Sequence, residues 1–336
     1  MPALNEDRFL GALLGFAIGD AFGMPVAGLD RAAIAARFGA IEGYRPNEAE
    51  DVQAGEVTED TEVALAIIET LTTSAGELDV DMIGVRLVRL ARSESRRWFP
   101  PATLAALDRA AESFEFMVPM REDEIVTADV AARGLPIGLL HAVGEFDPVA
   151  FAADNELVVR LSHGSPAAMS AATVVAHAAR FAVGGEVAPS EWPGAIAREL
   201  GGGEMAERLT MLQARLDAGE RAADIVAGAT ASGLAIEIVP LALAAAIAAE
   251  QFEEAPVAAV AAGGAADVAG AIAGGLAGAR FGSAGIPQSL VDDLGCRIYV
   301  SLAAPWFLKA ARRRAGLALD LRPRLGGPRP DFPPRV

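Results

Sequence analysis

The sequence predicts an all-α fold built from many helices. Apolar residues recur at the spacing of a helix face through most of the chain, as in Phe9, Leu10, Leu13, Leu14, Ala17 and Ile18. No segment alternates apolar and polar residues at the period of two that marks a half-buried strand. Aromatic residues make up only 6% of the chain while Ala and Gly abound, a composition that suits helices packed closely together.

Each element follows in order. Leu4–Ala40 carries a first apolar run, interrupted at Gly19-Asp20. Asp20 there is either a turn or cap residue or a carboxylate pointing into a pocket. Gly43–Gln53 is polar and reads as a loop. Gly55–Leu71, GEVTEDTEVALAIIETL, opens on a polar turn and continues as a helix with Val63, Ala64, Ile67, Ile68 and Leu71 on one buried face. Thr58 or Asp60 serves as its N-cap. The same two carboxylates and two hydroxyls on a rigid helix start also suit a hard cation, which prefers oxygen ligands.

Leu78–Leu90 reads as a helix, ended by RRWFPP at 96–101, where proline removes a donor and fixes φ. Thr103–Phe116 is helical again. Val126–Val143 has helical spacing with Pro136 inside it, so a helix starts near the proline or kinks there. Pro148–Leu161 and Pro166–Val183 are helices separated by the turn SHGSP, in which His163 is either a capping or packing histidine or a ligand contact. Gly184–Pro193 is a loop, and Ala195–Leu216 and Glu220–Ala229 are helical.

Ser232–Glu250 is apolar almost throughout, but Glu237, Pro240 and the weak hydrophobicity of alanine favour a buried helix over a membrane span. In Ala258–Gly282, Gly270, Gly274 and Gly278 recur every four residues, a face on which another backbone can approach. Asp267 opens this helix, where its charge suits the macrodipole. Ile286–Arg313 holds one or two last helices, and the Pro/Arg-rich remainder is an extended tail.

Composition narrows the function classes. The 336 residues are 52% hydrophobic, and mean hydropathy is +0.33, ample for a sizeable core. A net charge of −17 argues against nucleic acid or an anionic membrane as partner. The single cysteine, Cys296, rules out an internal disulfide and fits a reducing compartment. The start, MPALNEDRFLG, has no basic region before an apolar core, so the expected location is cytoplasmic. With three histidines and one cysteine, no Cys/His zinc motif is present.

The order of segments resembles a known family. RFLGALLGFAIGDAFGMPVAG is similar to the opening GALLGLAIGDALGAPVEG of the ADP-ribosylglycohydrolase family, and VTEDTEVALAIIETL to its TDDTQMALALAESL. Asp129–Leu140 resembles GAAMRVAPIGLL, SHGSPAAMSAATVVAHA the family's THP turn and helix, and the stretch from Ser232 to Gly282 the family's SGY and GGDTDT segments. The resemblance runs from about Arg8 to Leu294 and implies a compact single-domain helical bundle over 1–315, with 316–336 as tail.

It also implies a site. In the family, two magnesium or manganese ions between the TDD turn and the GGDTDT helix start hold the ribose hydroxyls, and a carboxylate assists attack of water on the anomeric carbon. Thr58, Asp60 and Asp267 match that pattern, and Glu59 stands for an Asp. Ala27, Ala265 and Val268 stand where the family has Glu, Asp and Thr. Asp129 falls in the family's GNG, where its charge would repel a pyrophosphate if it faces the pocket. Leu234 replaces an aromatic residue and Ala261 an asparagine.

The expected metal ligands are therefore Thr58, Glu59, Asp60 and Asp267, holding one Mg²⁺ or Mn²⁺ at most, or none. Glu59 and Asp20 are the catalytic candidates; Asp129, His163 and Gly264 are the substrate-binding ones. Three functions compete: hydrolysis of an N- or O-ribosyl bond in a small-molecule or ADP-ribosylated substrate, a pseudo-hydrolase that binds a ligand or protein, and a metal-free enzyme on a different small substrate. The sequence leaves the oligomeric state open.

Overall fold

Caps, prolines and glycines set the helix boundaries in the computed structural model, which describes residues 6–41, 43–122 and 124–317. Helix α1 (Glu6–Gly23) runs straight through Gly19-Asp20. The interruption expected there is corrected by long-range partners: the Asp20 carboxylate is engaged by Thr58 and Thr61 rather than by its local backbone. Helix α2 (Arg31–Phe38) is capped by Asp30, whose carboxylate accepts from Ala33 N at 2.8 Å. Helix α3 (Glu59–Thr73) is capped by Thr58, whose hydroxyl oxygen accepts from Asp60 N at 3.3 Å. Helices α4 (Val80–Leu90) and α5 (Pro101–Ser113) flank the RRWFPP break.

The Val126–Val143 segment divides into α6 (Asp129–Ala132) and α7 (Gly134–Leu140). The break falls at Arg133, and Pro136 sits in the first turn of α7, where its missing N–H would have no intrahelical partner anyway. Helices α8 (Pro148–Val159) and α9 (Pro166–Gly184) start on proline behind the caps Asp147 and Ser165. The single helix expected over Ala195–Leu216 is two, α10 (Trp192–Leu200) and α11 (Glu204–Asp217). Gly201, Gly202 and Gly203 part them with φ of 71°, 158° and 88°, which side-chain-bearing residues rarely adopt.

The remaining helices are α12 (Ala222–Gly228), α13 (Ala235–Ala248), α14 (Glu254–Val260), α15 (Ala266–Phe281), α16 (Gln288–Asp292) and α17 (Arg297–Arg314). Helix α13 has 14 residues, too short for the ~20 a membrane span needs. Glu6–Val26 and Pro166–Gly184 have the length and hydropathy of a span, but 89% and 67% of their most apolar windows are buried inside the protein. No strand occurs among the described residues, only three isolated bridges. The tail lies outside the described residues from 318 onward.

The core is organised by α1 against α15. Gly11, Gly15, Gly19 and Gly23 on α1 face Gly278, Gly274, Gly270 and Ala266 on α15. A Cβ on any of the four α1 glycines would lie 1.9–2.3 Å from the facing carbonyl oxygen, so the two backbones touch. The sequence revealed the α15 glycine face; its counterpart on α1 went unpaired there. Helices α9, α13 and α14 cover the other sides of α15, while α3 and α17 pack together and against α1. The close approach of α1, α15 and the start of α3 positions the site.

Candidate active site

Asp20 anchors the first turn of α3. It is wholly buried, and its carboxylate accepts from Thr58 N, from Thr58 Oγ1 at 2.8 Å, from Thr61 N at 3.2 Å and from Thr61 Oγ1 at 2.5 Å. Burial and then the nearby charge of Asp267 push its pKa up to about 7, against the pull of these hydrogen bonds. With its acceptor capacity so engaged, Asp20 is a positioning group for Thr58 and α3.

The next residues carry the unspent polar atoms. Glu59 and Asp60 each keep only 4% exposure, and Glu59 Oε2 and Asp60 Oδ2 are buried without a hydrogen-bond partner. Burial raises the pKa of both well above the carboxylate range. For Glu59 the next cause is Asp267; for Asp60 it is Glu59, then Asp267. Asp267, at the start of α15, accepts from Val268 N at 2.9 Å and is likewise raised, chiefly by burial. Glu59, Asp60 and Asp267 thus share one electrostatic neighbourhood, and α3 meets α15 as the sequence expectation required.

Asp129 is the exception among these carboxylates. Burial disfavours its charge, but Arg133 and His163, with the hydroxyls of Thr127 and Thr103, hold it below the usual range. Arg133 donates to Asp129 at 3.2 Å, Thr103 Oγ1 at 2.7 Å and Thr127 Oγ1 at 2.6 Å. Arg133 is buried, and its other terminal nitrogen donates to the Val158 carbonyl. His163 is wholly buried, 2.7 Å from Ser162 Oγ through Nδ1, with Nε2 unpartnered; burial lowers its pKa.

A cavity of roughly 410 Å³ opens beside these groups. Its wall includes Asp30, Glu59, Trp98, Asp129, Gly264 and Asp267. Ala27, Ala265 and Val268, the positions where the sequence lacks the family's polar residues, line the same wall. Bridges between Asp30 and Gly263 and between Thr127 and Leu234 join the loops that form it. Of the sequence-derived candidates, Glu59, Asp129, Gly264 and Asp267 line the cavity; Thr58, Asp60, Asp20 and His163 are buried and are not part of its lining. Trp98, read in the sequence only as part of a break, joins the wall, and Arg133 joins the network; its spacing from Asp129 (i, i+4) was the available signal.

The donor set suits a hard divalent ion. A buried carboxylate oxygen without a partner is costly, and a cation would restore its lost interactions. Asp60 and Glu59 offer such oxygens, Asp267 adds a carboxylate in their electrostatic neighbourhood, and the Thr58 hydroxyl, which donates to Asp20 and accepts from Asp60 N, keeps one lone pair. Among the described residues, no three His, Cys, Asp or Glu side chains converge as ready ligands of one ion.

Comparison with known proteins bears on the family and the fold. The ADP-ribosylglycohydrolase family model matches residues 1–319. The uncharacterized protein YegU of Escherichia coli (strain K12) is 31% identical over 191 residues, 54% of this chain and 56% of that protein, so the match spans about half of that relative's length. An uncharacterized protein of Archaeoglobus fulgidus is 29% identical over 298 residues, 88% of this chain and 94% of that protein. A solved structure of an ADP-ribosylglycohydrolase-related protein complex superposes with a TM-score of 0.66 at 27% identity, covering 92% of this chain and 98% of its own.

Proposed function

The chain belongs to the ADP-ribosylglycohydrolase family, and we propose that it hydrolyses an N- or O-ribosyl bond with at most one divalent ion, Mg²⁺ or Mn²⁺. The observation that carries this reading is the pair of buried, unpartnered carboxylate oxygens on Glu59 and Asp60 beside the cavity. A chain kept only for its fold gains nothing from two such atoms.

Asp60, Asp267 and the Thr58 hydroxyl would hold the ion, which when bound supplies positive charge for the ribose hydroxyls. Glu59 lines the cavity, where burial raises its pKa above the ordinary value, and it would act as the proton acceptor. It takes one proton from water as the water oxygen bonds to the anomeric carbon. The C–N or C–O bond to the leaving group breaks and the leaving atom keeps the electron pair; the proton taken by Glu59 passes to that atom or, where it departs from a cationic nitrogen and is already neutral, to solvent. Asp20 holds Thr58 and Thr61, and so the first turn of α3, in place for this. The single cysteine and the charge of −17 support a reducing, cytoplasmic setting without nucleic-acid or membrane partners.

A second reading, a ligand-binding pseudo-hydrolase, is favoured by one observation. Ala27, Ala265 and Val268 line the cavity and offer no side-chain donor atom. The two readings separate in one experiment: N- and O-ribosyl substrates are incubated with protein in Mn²⁺ or in chelator, and the released leaving group is measured. Metal-dependent release supports the hydrolase; ligand binding without release supports the pseudo-hydrolase.

A further inference from the structure

We infer that Trp98 is a stacking platform for a flat heteroaromatic ring, so that the ribosyl compound taken here carries such a ring on Trp98 and its sugar at the carboxylates. The inference rests on the ribosyl-bond reading above and narrows its substrate class.

Trp98 is the only aromatic side chain among the described residues that line the cavity, and it is half-buried there. A tryptophan that merely covers a cavity needs no fixed orientation, but this one is held on both sides along the chain. Ser93 caps a 3-10 turn over Glu94–Arg97 by accepting from Ser95 N at 3.2 Å, and Trp98 N donates to the Ser95 carbonyl at 3.0 Å. Arg96 donates to the two Asp108 carboxylate oxygens at 2.9 and 2.8 Å and to the Ala91 carbonyl at 3.0 Å. Behind Trp98, Phe99 is buried in the core, and Pro100 and Pro101 fix φ.

The ring itself is clamped on one side only. Arg97 donates to the Glu50 carbonyl at 2.9 Å, and its guanidinium lies over the indole, 5.2 Å from the ring centre. A second flat group therefore has the opposite face of Trp98 to stack on. With the turn already fixed, little side-chain ordering is left to oppose that stacking.

The rest of the wall suits the sugar rather than the ring. Asp30, Glu59, Asp129 and Asp267 accept from hydroxyls, which ribose supplies, and carboxylates have nothing to offer the face of a heteroaromatic ring. Leu29, Pro100 and Val268 touch a ring without presenting a π face of their own.

The test compares nicotinamide riboside with methyl ribofuranoside, the same sugar without a flat ring, on the Mn²⁺-loaded protein. Calorimetry measures binding to wild type, Trp98→Ala and Trp98→Phe, and chromatography follows cleavage in the same samples. Trp98→Ala is expected to weaken nicotinamide riboside about tenfold or more, the usual loss when an aromatic platform is removed, and to leave methyl ribofuranoside unchanged. Trp98→Phe should keep most of the affinity. In cleavage, Trp98→Ala should raise KM and spare kcat. Tryptophan emission gives a readout that needs no alanine variant: nicotinamide riboside should quench it in wild type and not in Trp98→Phe, where Trp192, buried, and Trp306, on α17, remain. Equal weakening of both ligands, unchanged binding of nicotinamide riboside by Trp98→Ala, undiminished quenching in Trp98→Phe, or binding of neither compound overturns the inference. Binding and quenching without release contradict the hydrolase reading and leave the platform standing. Release with a KM untouched by Trp98→Ala does the reverse.

Discussion

Gly19 and Gly270 meet backbone to backbone: a Cβ on Gly19 would lie 1.9 Å from the Gly270 carbonyl oxygen, and one on Gly270 would lie 2.2 Å from that of Gly19. The next residue along α1 is Asp20, and one turn before Gly270 on α15 is Asp267. The contact between the glycines is thus what puts the two carboxylates in electrostatic range, and Asp267 helps burial raise Asp20 to about 7. Scaffold and site are one arrangement of small residues.

Gly274→Leu is expected to destabilise the fold by on the order of 1–3 kcal/mol or more, since overpacking against backbone cannot be relieved by turning a side chain. A Cβ at Gly274 would already lie 2.2 Å from the Gly15 carbonyl oxygen. Denaturant unfolding checks this. An unchanged midpoint would mean that the α1–α15 contact is looser than described.

Local signals were readable in the sequence. The Thr58 cap, the α15 glycine face and the place of Asp267 at a helix start depend on residues a few positions apart, and the structure has each. What stayed hidden depends on distant partners. Gly19-Asp20 reads as a break until Thr58 and Thr61, 38 and 41 residues on, are seen to satisfy the carboxylate. The cavity wall is assembled from loops near 27–30, 98–100, 127–129, 231–233 and 264–268, and no period or motif in the chain announces that meeting. His163 sits in the turn where a ligand contact was conceivable, yet it packs against Ser162 inside the protein.

Asp20→Asn should weaken Mn²⁺ binding by roughly 10–100-fold, the effect expected when a group that orients ligands is lost. An amide oxygen cannot accept all the hydrogen bonds that Thr58 and Thr61 give the carboxylate. Stability should fall as well, by about 1–3 kcal/mol for unsatisfied buried groups. Calorimetric titration of wild type and variant measures the first effect. An unaltered Mn²⁺ affinity would remove Asp20 from the account of the site.

Acid should destabilise the fold through His177. This ring is buried among Phe146, Phe151 and Phe181 with Arg180 alongside, and burial, then Arg180, lowers its pKa from 6.5 to about 4. Between those values the unfolded chain binds the proton and the folded one does not. Stability is therefore full above pH 6.5 and lost as the pH falls towards 4. At 1.36 kcal/mol per pKa unit the loss is on the order of 3 kcal/mol. His177→Leu should flatten that part of the unfolding free energy measured against pH. A variant as pH-dependent as wild type would assign the acid sensitivity elsewhere.

Restoring the polar wall should change the metal count. Two dications a few ångström apart repel, and the described carboxylates suffice for one. Ala27→Glu, Ala265→Asp and Val268→Thr together are expected to raise Mn²⁺ stoichiometry from at most one towards two, read by calorimetry or anomalous diffraction. Two well-occupied ions in the unmodified protein would show that other residues, Asp20 or Asp129 among them, serve as ligands.

The central claim is that Glu59 acts as a base on a ribosyl bond beside a bound ion. Nicotinamide release from nicotinamide riboside, with Mn²⁺ titrated in parallel, tests it most directly on wild type and Glu59→Gln. The account predicts Mn²⁺-dependent release by the wild type and a fall of about 10²–10⁴-fold in the variant, the range for a lost general base, while Mn²⁺ still binds. Release at equal rates by both proteins, or no release from a wild type shown to bind both Mn²⁺ and the riboside, would contradict it.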